Sequence, residues 1–131
     1  MRLFITGCAG FIGINFLELL VKNRYNIFGI DKLTYASNPN EIKKYLVHKK
    51  VIFKKLDINS KKVSEYINFF KPDVIINMAA ESHVDNSILS PDAFIRTNIN
   101  GTLNLLKSSF NYYSKIKKNN KKKFKFIQIS T

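Results

Sequence analysis

The chain has 131 residues, of which 45% are hydrophobic, and this is enough for one domain with a buried core. Its formal net charge of +13 comes from lysines spread along the chain, with one dense block at 115–125, so we favour solvated lysine faces and predict no nucleic-acid and no membrane partner. The single cysteine, Cys8, excludes an intrachain disulfide, and with no secretory signal or membrane-spanning stretch we expect a soluble, cytoplasmic protein.

The first predicted elements are a buried strand over Arg2–Thr6, a glycine-rich turn and a helix over Phe11–Lys22. The turn has the sequence TGCAGFIG, with glycines three residues apart. Gly7 allows a tight turn, Gly10 lets a pyrophosphate approach the backbone, and Gly13 lets the helix pack close to the sheet. Amides at the helix start and the helix dipole also favour a diphosphate. The context predicts a dinucleotide-binding turn, and the alternative is a glycine turn without a ligand.

The helix after the turn has its polar residues on one side. Asn15, Glu18 and Lys22 are spaced three and four apart, and Glu18 with Lys22 forms a favourable pair. We therefore expect one narrow exposed stripe and burial of the apolar remainder, with Asn23 as the end cap.

The second strand, predicted over 26–30, ends in Asp31. A carboxylate at this position can accept hydrogen bonds from the adenosine ribose hydroxyls, and it would repel a 2′-phosphate. Asp31 therefore favours NAD over NADP, although Lys32 beside it weakens this preference. The alternative is ordinary turn chemistry after a strand.

Alternating elements continue along the chain. After a loop at 32–39 we predict a helix at 41–47, a strand at 51–53, a helix that Asn59 or Ser60 caps and Pro72 ends, and a strand at 74–76. Strands alternating with helices indicate right-handed crossovers and a doubly wound parallel sheet. Ligands of such sheets bind beyond the carboxyl ends of the strands.

The segment after the fourth strand should therefore lie at the site. Ala79 and Ala80 are small enough for a nicotinamide ribose to pass close by. Glu81, His83 and Asp85 match no zinc-ligand spacing, so we predict no metal site.

A long helix is predicted from Ser90, Pro91 and Asp92, which form a typical helix start. Thr97 and Asn98 on its early turns should face the cofactor. Its apolar residues keep a helical rhythm over about five turns: Ile95, Ile99, Leu103, Leu106, Phe110 and Tyr113. A solvated loop at 115–123 and a fifth strand at 124–129 complete the sequence.

Four strings in the sequence resemble the extended short-chain dehydrogenase/reductases, which act mainly on nucleotide sugars. They are TGCAGFIG at 6–13, DKLTYA at 31–36, AAESHVD at 79–85 and FIRTNI at 94–99. Together they are similar to the dTDP-glucose 4,6-dehydratase family, and the resemblance covers the whole chain. It implies an α/β, Rossmann-like, doubly wound parallel sheet, of which 1–131 would supply the first five strands as an incomplete NAD-binding domain. The substrate domain would be absent.

The resemblance also implies a reaction. NAD would oxidise C4 of the glucose moiety of dTDP-glucose, water would be lost across C5 and C6, and reduction at C6 would give dTDP-4-keto-6-deoxyglucose. The full-length form would be a lyase and a homodimer.

Several residues would contact NAD if the glycine turn and the resemblance are taken together. They are Gly7, Gly10, Phe11, Ile12, Gly13, Asp31, Lys32, Leu33, Thr34, Asp57, Ile58, Ala79, Ala80, Glu81, Ser82, His83 and Thr97. His83 and Thr131 would contact the sugar, with the Thr131 hydroxyl holding the C4 oxygen. Asn86 stands where the family usually has arginine, which puts a charge role there in doubt.

The main acid and base residues of the family are missing from the sequence as given. The family places Asp-Glu directly after the threonine that Thr131 matches, and a Tyr-x-x-x-Lys pair later. Two matches to that pair, Tyr45 with Lys49 and Tyr113 with Lys117, precede the fifth strand and are expected on the edge of the sheet opposite the cofactor. We expect an amino-terminal fragment that binds NAD without turnover.

Three alternatives stay open from the sequence. The chain could come from another nucleotide-sugar dehydratase or a 4-epimerase of the same family. It could be a non-catalytic NAD-binding module. The lysine block at 115–125 could bind nucleic acid, with strong salt dependence.

Overall fold

The computed structural model describes residues 1–83, 88 and 91–130, and these contain one parallel sheet. Its strands lie in the order β3-β2-β1-β4-β5. Their bounds are β1 Arg2–Thr6, β2 Asn26–Asp31, β3 Val51–Lys55, β4 Val74–Asn77 and β5 Lys125–Gln128. The order reverses direction between β1 and β4, which is the topological switch point of a Rossmann-like sheet. The predicted fold class is confirmed.

Helices connect the strands as right-handed crossovers require. They are α1 Phe11–Lys22, α2 Pro39–Tyr45, α3 Lys62–Phe70, α4 Pro91–Phe94, a π-helix Ile95–Gly101, α5 Thr102–Lys115 and α6 Lys118–Lys121. The π-helix joins α4 to α5 without a break, because Phe94, Gly101 and Thr102 all have helical backbone angles. None of the helices in the described ranges has the length and hydropathy that crossing a bilayer requires.

The sheet has a hydrophobic layer on each face because neighbouring strand residues point in opposite directions. Leu3 and Ile5 pack in the layer under α1 and α2. Phe4 lies in the other layer, under α3 and α5, where its ring stacks on that of Phe28 with centroids 5.3 Å apart. A sheet covered on both faces explains why the strands are continuous apolar runs.

A buried polar network crosses three strands at their carboxyl ends. The Thr6 hydroxyl donates to the side-chain oxygen of Asn77, and the Asn77 amide group donates to Gln128 Oε1 at 2.8 Å. The Ala79 amide donates to Thr6 Oγ1 at 3.2 Å. These bonds fix where the chain leaves β1 and β4, and so they define the floor of the switch point.

The narrow exposed stripe predicted for α1 is wrong. Glu18 and Lys22 do form the expected pair at 2.8 Å, but Phe11 is 84% exposed and Leu19 58% exposed. The helix packs on the sheet through Leu17 and Leu20, which are buried in the hydrophobic layer of that face. The Asn23 end cap is confirmed, since its side chain donates to Leu19 O at 2.7 Å.

The apolar rhythm of the long helix predicts a helix correctly, but the six apolar residues that form the rhythm are exposed. The buried residues of this helix are instead Thr97, Gly101, Leu105, Ser108, Ser109 and Tyr112. Small residues allow the helix to approach the β3–α3 connection closely: a Cβ on Gly101 would lie 2.5 Å from Ile58 Cδ1. Leu105 and Tyr112 are the large side chains that this helix packs in the core layer.

Several element boundaries also differ from prediction, among them those of β3, which extends to Lys55, and of β5, which is shorter than 124–129. The second helix begins at Pro39 because Asn38 caps it, accepting from the Glu41 amide at 3.2 Å. The α3 helix begins at Lys62, where Ser60 Oγ accepts from the Lys62 amide at 3.3 Å. The connection at 115–123 is not wholly a loop, since α6 forms within it. The predicted cap Ser90 lies outside the described residues.

Replacing Gly7 by alanine should destabilise the fold. Gly7 has φ +67°, and a Cβ would lie 2.6 Å from Ala79 N, so we expect Gly7→Ala to lower the free energy of unfolding by at least about 2 kcal/mol. Gly10→Ala is the matched control, because its Cβ would meet only Gly7 O at 3.4 Å and should change stability by less than about 0.5 kcal/mol. Urea denaturation measures both. Equal losses would contradict the account of Gly7.

Candidate functional site

A cleft open to solvent lies at the carboxyl edge of the sheet beside the switch point. Eleven of the residues predicted to contact a cofactor line it: Gly7, Gly10, Asp31, Lys32, Thr34, Asp57, Ile58, Ala79, Ala80, Glu81 and Thr97. They come from the ends of β1, β2, β3 and β4 and from the π-helix. The topology therefore brings together residues that are up to 90 positions apart in sequence, from Gly7 to Thr97.

The glycine turn presents bare backbone to the cleft. The Gly7 amide donates to Ile30 O at 3.0 Å, and the positive φ turns the chain back over the sheet. A Cβ on Gly10 would meet little but Gly7 O, so the space above Gly10 is open. A Cβ on Gly13 would overlap Gly7 O, which shows that Gly13 packs α1 against the turn rather than against the sheet as predicted.

The amino end of α1 can receive an anion. Gly10 is its N-cap residue and supplies no side-chain cap, and the first turn carries no acidic residue. The first amides of a helix have no intrahelical partner and sit at the positive end of the helix dipole. Bare backbone at Gly10 and free amides after it are what a phosphate requires.

Cys8 fills space inside this turn. It is fully buried, and its Sγ lies 3.5 Å from Ile30 O. Burial raises the pKa of the Cys8 thiol, and the nearby charge of Asp31 raises it further. The thiol therefore stays protonated and acts as a small packing group.

Asp31 is buried at the end of β2 and accepts three hydrogen bonds. Oδ2 accepts from the Ala9 amide at 2.9 Å, while Oδ1 accepts from the Leu33 amide at 2.8 Å and from Ser37 Oγ at 2.9 Å. Leu33 adopts φ +58°, an unusual conformation for a leucine, to place its amide there. The carboxylate thus joins the glycine turn to the loop after β2. Its predicted contact with a ribose stays a prediction.

Two contacts bridge the loops that follow β2 and β4. Lys32 Nζ lies 3.6 Å from Glu81 Oε1, where it balances that carboxylate. The rings of Tyr35 and His83 are 5.5 Å apart. These contacts hold the two loops together over one side of the cleft.

The loop after β3 is fixed by its own side chains and by the π-helix. Asp57 Oδ1 accepts from the Asn59 amide at 2.8 Å, and Asn59 Nδ2 donates to Arg96 O at 3.0 Å. The loop carries Ile58, which lies under Gly101. The predicted site residues Asp57 and Ile58 are thereby held at the cleft wall.

The π-helix delivers two polar side chains to the site. Asn98 clamps the backbone of Glu81, since its Oδ1 accepts from the Glu81 amide and its Nδ2 donates to Glu81 O, both at 2.9 Å. Thr97 is 7% exposed and lines the cleft, and its hydroxyl oxygen has no hydrogen-bond partner among the described residues. A buried unpaired hydroxyl costs free energy, and π-helical turns are frequent at functional sites.

The cleft lining and the sequence prediction differ in both directions. Ile30, Ala36, Ser37, Leu56 and Met78 line the cleft and were missed. Most of these are apolar or small residues with no motif, whereas Ser37 follows an acidic strand end within a turn and could have been considered. Phe11, Ile12, Gly13, Leu33, Ser82 and His83 do not line the cleft, so their cofactor contacts remain predictions.

Some of the predicted residues lie outside the described residues. These are Asp85, Asn86 and Thr131. Within the described ranges, no group of three or more His, Cys, Asp or Glu side chains is arranged to hold a metal ion.

The two Tyr-x-x-x-Lys matches lie away from the cleft. The Tyr113 ring is 5.9 Å from that of Phe124, directly before β5 begins. Tyr45 ends α2, and its carbonyl accepts from the His48 amide in the turn that leads into β3. Both tyrosines are therefore at the amino ends of strands, opposite the cleft, as predicted.

Comparison with known proteins places this geometry in context. Residues 4–131 match the family described as GDP-mannose 4,6 dehydratase. A dTDP-glucose 4,6-dehydratase of Salmonella typhimurium is 40% identical over 133 residues, an alignment that covers all of this chain and 37% of that protein. The chain therefore spans less than two fifths of the length of this curated relative.

Solved structures agree with the sequence relatives. The dTDP-glucose 4,6-dehydratase DesIV of Streptomyces venezuelae, crystallised with NAD, superposes with a TM-score of 0.80 at 34% identity, over 86% of this chain and 36% of that one. The UDP-glucose 4-epimerase of Thermotoga maritima, crystallised with UDP-glucose, superposes with a TM-score of 0.82 at 27% identity, over 100% of this chain and 38% of that one.

Replacing the unpaired threonine by valine should stabilise the ligand-free chain. Thr97→Val removes a buried hydroxyl that has no hydrogen-bond partner among the described residues, so we expect the free energy of unfolding to rise by about 1 kcal/mol in urea titrations. Thr102→Val is the matched control, because Thr102 Oγ1 accepts from Asn77 Nδ2 at 3.4 Å, and its loss should destabilise. A destabilised Thr97→Val chain would show that the native hydroxyl is hydrogen-bonded.

Proposed function

The chain belongs to the GDP-mannose 4,6-dehydratase family, and from this membership we propose that it forms the NAD-binding domain of a nucleotide-sugar dehydratase. The proposed reaction of the whole protein is dehydration of dTDP-glucose, which the name of the Salmonella relative contains, to dTDP-4-keto-6-deoxyglucose. The observation that carries the proposal is the cleft at the switch point. It has open backbone at Gly10 on one side and, on the other, the Thr97 hydroxyl, which has no partner within the described ranges.

The residues of the cleft fit NAD by their chemistry. The open space at Gly10 and the uncapped amides of α1 suit the pyrophosphate. Asp31 suits a ribose hydroxyl, since a carboxylate accepts about four hydrogen bonds and three are made within the chain. The Thr97 hydroxyl, which has no partner in the part of the chain that the structure describes, would gain one from the cofactor. Ala79 and Ala80 leave room for the second ribose.

When bound, NAD supplies a hydride acceptor and donor for the oxidation at C4 and the reduction at C6 of the sugar. The chain's own residues bind and orient it. Asn98 holds the backbone at Glu81, and so it fixes the wall against which the nicotinamide end would lie. His83 is proposed to contact the sugar from the end of the same segment, and Thr131 to hold the C4 oxygen.

We propose that NAD is preferred over NADP. A 2′-phosphate would come close to the buried carboxylate of Asp31, and the two negative charges would repel each other. The amides of Ala9 and Leu33 already donate to this carboxylate. Lys32 could attract that phosphate, but its ammonium group is paired with Glu81 at 3.6 Å. Lys32 is the one basic residue among the described lining residues, and its pairing with Glu81 weakens its attraction for a 2′-phosphate.

Turnover is proposed to need residues beyond those in this sequence. Neither Tyr-x-x-x-Lys match is near the cleft, so no such pair within the described residues could remove the C4 hydroxyl proton. The chain by itself is therefore proposed to bind NAD without converting dTDP-glucose. A 4-epimerase of the same family is the second candidate, supported by the TM-score of 0.82 to the Thermotoga maritima enzyme.

The full-length protein is proposed to be a cytoplasmic homodimer. The support for dimerisation is an exposed apolar face along the π-helix and α5, formed by Ile95, Ile99, Leu103, Leu106 and Phe110. Faces of this kind on soluble proteins commonly mark interfaces. The single buried cysteine suits a reducing compartment.

Binding of NAD tests the proposal directly. We expect the chain to bind NAD in isothermal titration calorimetry and Gly10→Ala to weaken binding at least tenfold, because a Cβ would occupy the space proposed for the pyrophosphate. The unfolding free energy of the variant is the control and should stay near that of the parent. Absence of NAD binding would contradict the proposed site. Formation of 4-keto product from NAD and dTDP-glucose would contradict the inactivity of the chain alone.

The preference for NAD can be tested by releasing Lys32. We expect NADP to bind at least about tenfold more weakly than NAD, and Glu81→Gln to narrow this ratio, because the unpaired ammonium of Lys32 can then attract the 2′-phosphate. The backbone bonds between Glu81 and Asn98 are retained in this variant. Lys32→Met is the control for the cation. Binding of NADP should stay weak when this substitution is made in the parent chain and in Glu81→Gln. An unchanged ratio in Glu81→Gln would refute the role of the pair.

A further inference from the structure

The acceptor capacity of Asp31 is nearly filled by the chain itself. Oδ1 accepts from the Leu33 amide at 2.8 Å and from Ser37 Oγ at 2.9 Å, so both of its lone pairs are used. Oδ2 accepts from the Ala9 amide at 2.9 Å and keeps one. A ribose presents two hydroxyl groups, and the carboxylate in this arrangement has capacity for one of them.

Ser37 lies where it can take the other hydroxyl. Its side chain is half-buried and lines the cleft beside Asp31. A hydroxyl that donates its proton keeps its oxygen as an acceptor. The serine thus offers an acceptor to the cleft while it donates to Asp31 Oδ1.

The backbone holds Ser37 in this place. Its amide donates to Thr34 O at 3.0 Å, and the next amide, of Asn38, donates to Ala9 O at 2.8 Å. The turn that carries Ser37 is therefore attached to the glycine turn, which is proposed to position the pyrophosphate. Serine, carboxylate and pyrophosphate site form one unit with little freedom to adjust.

We propose that Ser37 and Asp31 recognise the adenosine ribose together, which rests on the proposed binding of NAD. One ribose hydroxyl donates to Asp31 Oδ2, and the other donates to Ser37 Oγ, whose own proton stays on Asp31 Oδ1. Ser37 is thereby a specificity-determining residue for an unmodified ribose diol. A phosphate on either hydroxyl removes a proton that the pair requires and adds charge beside a carboxylate.

The experiment compares three ligands on matched variants. NAD and its analogues that lack the 2′- or the 3′-hydroxyl of the adenosine ribose are titrated into the parent chain, Ser37→Ala, Ser37→Gly, Ser37→Thr and Ser114→Ala. Ser37→Thr keeps the hydroxyl, and Ser114→Ala removes a serine hydroxyl that bonds Asn111 O on exposed α5. Urea denaturation confirms that each variant is folded.

We expect the parent chain to lose about fivefold in affinity for each deoxy analogue. In Ser37→Ala, NAD itself should lose about fivefold, and one of the two analogues should then bind as well as NAD, because the partner of the missing hydroxyl is gone. The other analogue should keep its penalty through Asp31. Ser37→Gly should repeat this pattern, and Ser37→Thr and Ser114→Ala should behave like the parent.

Two outcomes separate the inference from its premise. If the parent binds NAD and Ser37→Ala keeps both penalties, Asp31 accepts both hydroxyls directly and the role of Ser37 is overturned. If the parent does not bind NAD, the proposed function fails, and the paired recognition fails with it. A uniform loss for all three ligands in Ser37→Ala would assign the serine a structural role and also overturn the inference.

Discussion

The cleft depends on the absence of a side chain at Gly7. The residue turns the chain out of β1 with φ +67°, and the backbone of Met78 and Ala79 fills the space where a Cβ would stand. The end of β4 can therefore pass directly beside the glycine turn, and the amino end of α1 opens into the gap between them. The Thr6–Asn77 hydrogen bond on one side and the close approach of the Gly7 carbonyl to Gly13 on the other hold the turn in place. The requirement for glycine at position 7 thus sets how closely the end of β4 approaches the turn after β1.

Around this turn the structure keeps features that oppose stability. Leu33 holds a left-handed conformation, and the Thr97 hydroxyl is buried without a partner in the described chain. Both lie at the cleft or support it, while the two hydrophobic layers below contain ordinary apolar packing. Strained backbone and unsatisfied polar groups are expected to cluster where a site is organised for a ligand. The hydrophobic layers on the two faces of the sheet compensate for the stability that is lost at the site.

The sequence predicted the elements well because their patterns are local. Continuous apolar strands, the glycine spacing and Asn38-Pro39 each act through neighbouring residues. It failed where the outcome depends on distant partners. The hydrogen bond from Ala9 to Asp31 joins the glycine turn to the end of β2, and only the folded chain shows that the carboxylate already accepts it. The π-helix was not predicted, and its contacts are with residues about 40 positions earlier: Gly101 packs on Ile58, and Asn59 donates to Arg96 O. Apolar periodicity predicted the position of the long helix but not which of its faces packs against the sheet.

The charge of the cleft differs from that of the chain, and the difference bears on how an anionic dinucleotide would be held. The chain carries +13, yet Asp31, Asp57 and Glu81 line the cleft and Lys32 is the one basic residue among the described lining residues. Lysine side chains therefore do not neutralise the phosphates at close range. Backbone amides and the dipole of α1 bind the phosphates instead. The carboxylates are left to accept from hydroxyl groups. The surrounding positive potential still draws anions toward the molecule, so long-range attraction and short-range recognition are carried by different parts of the same chain.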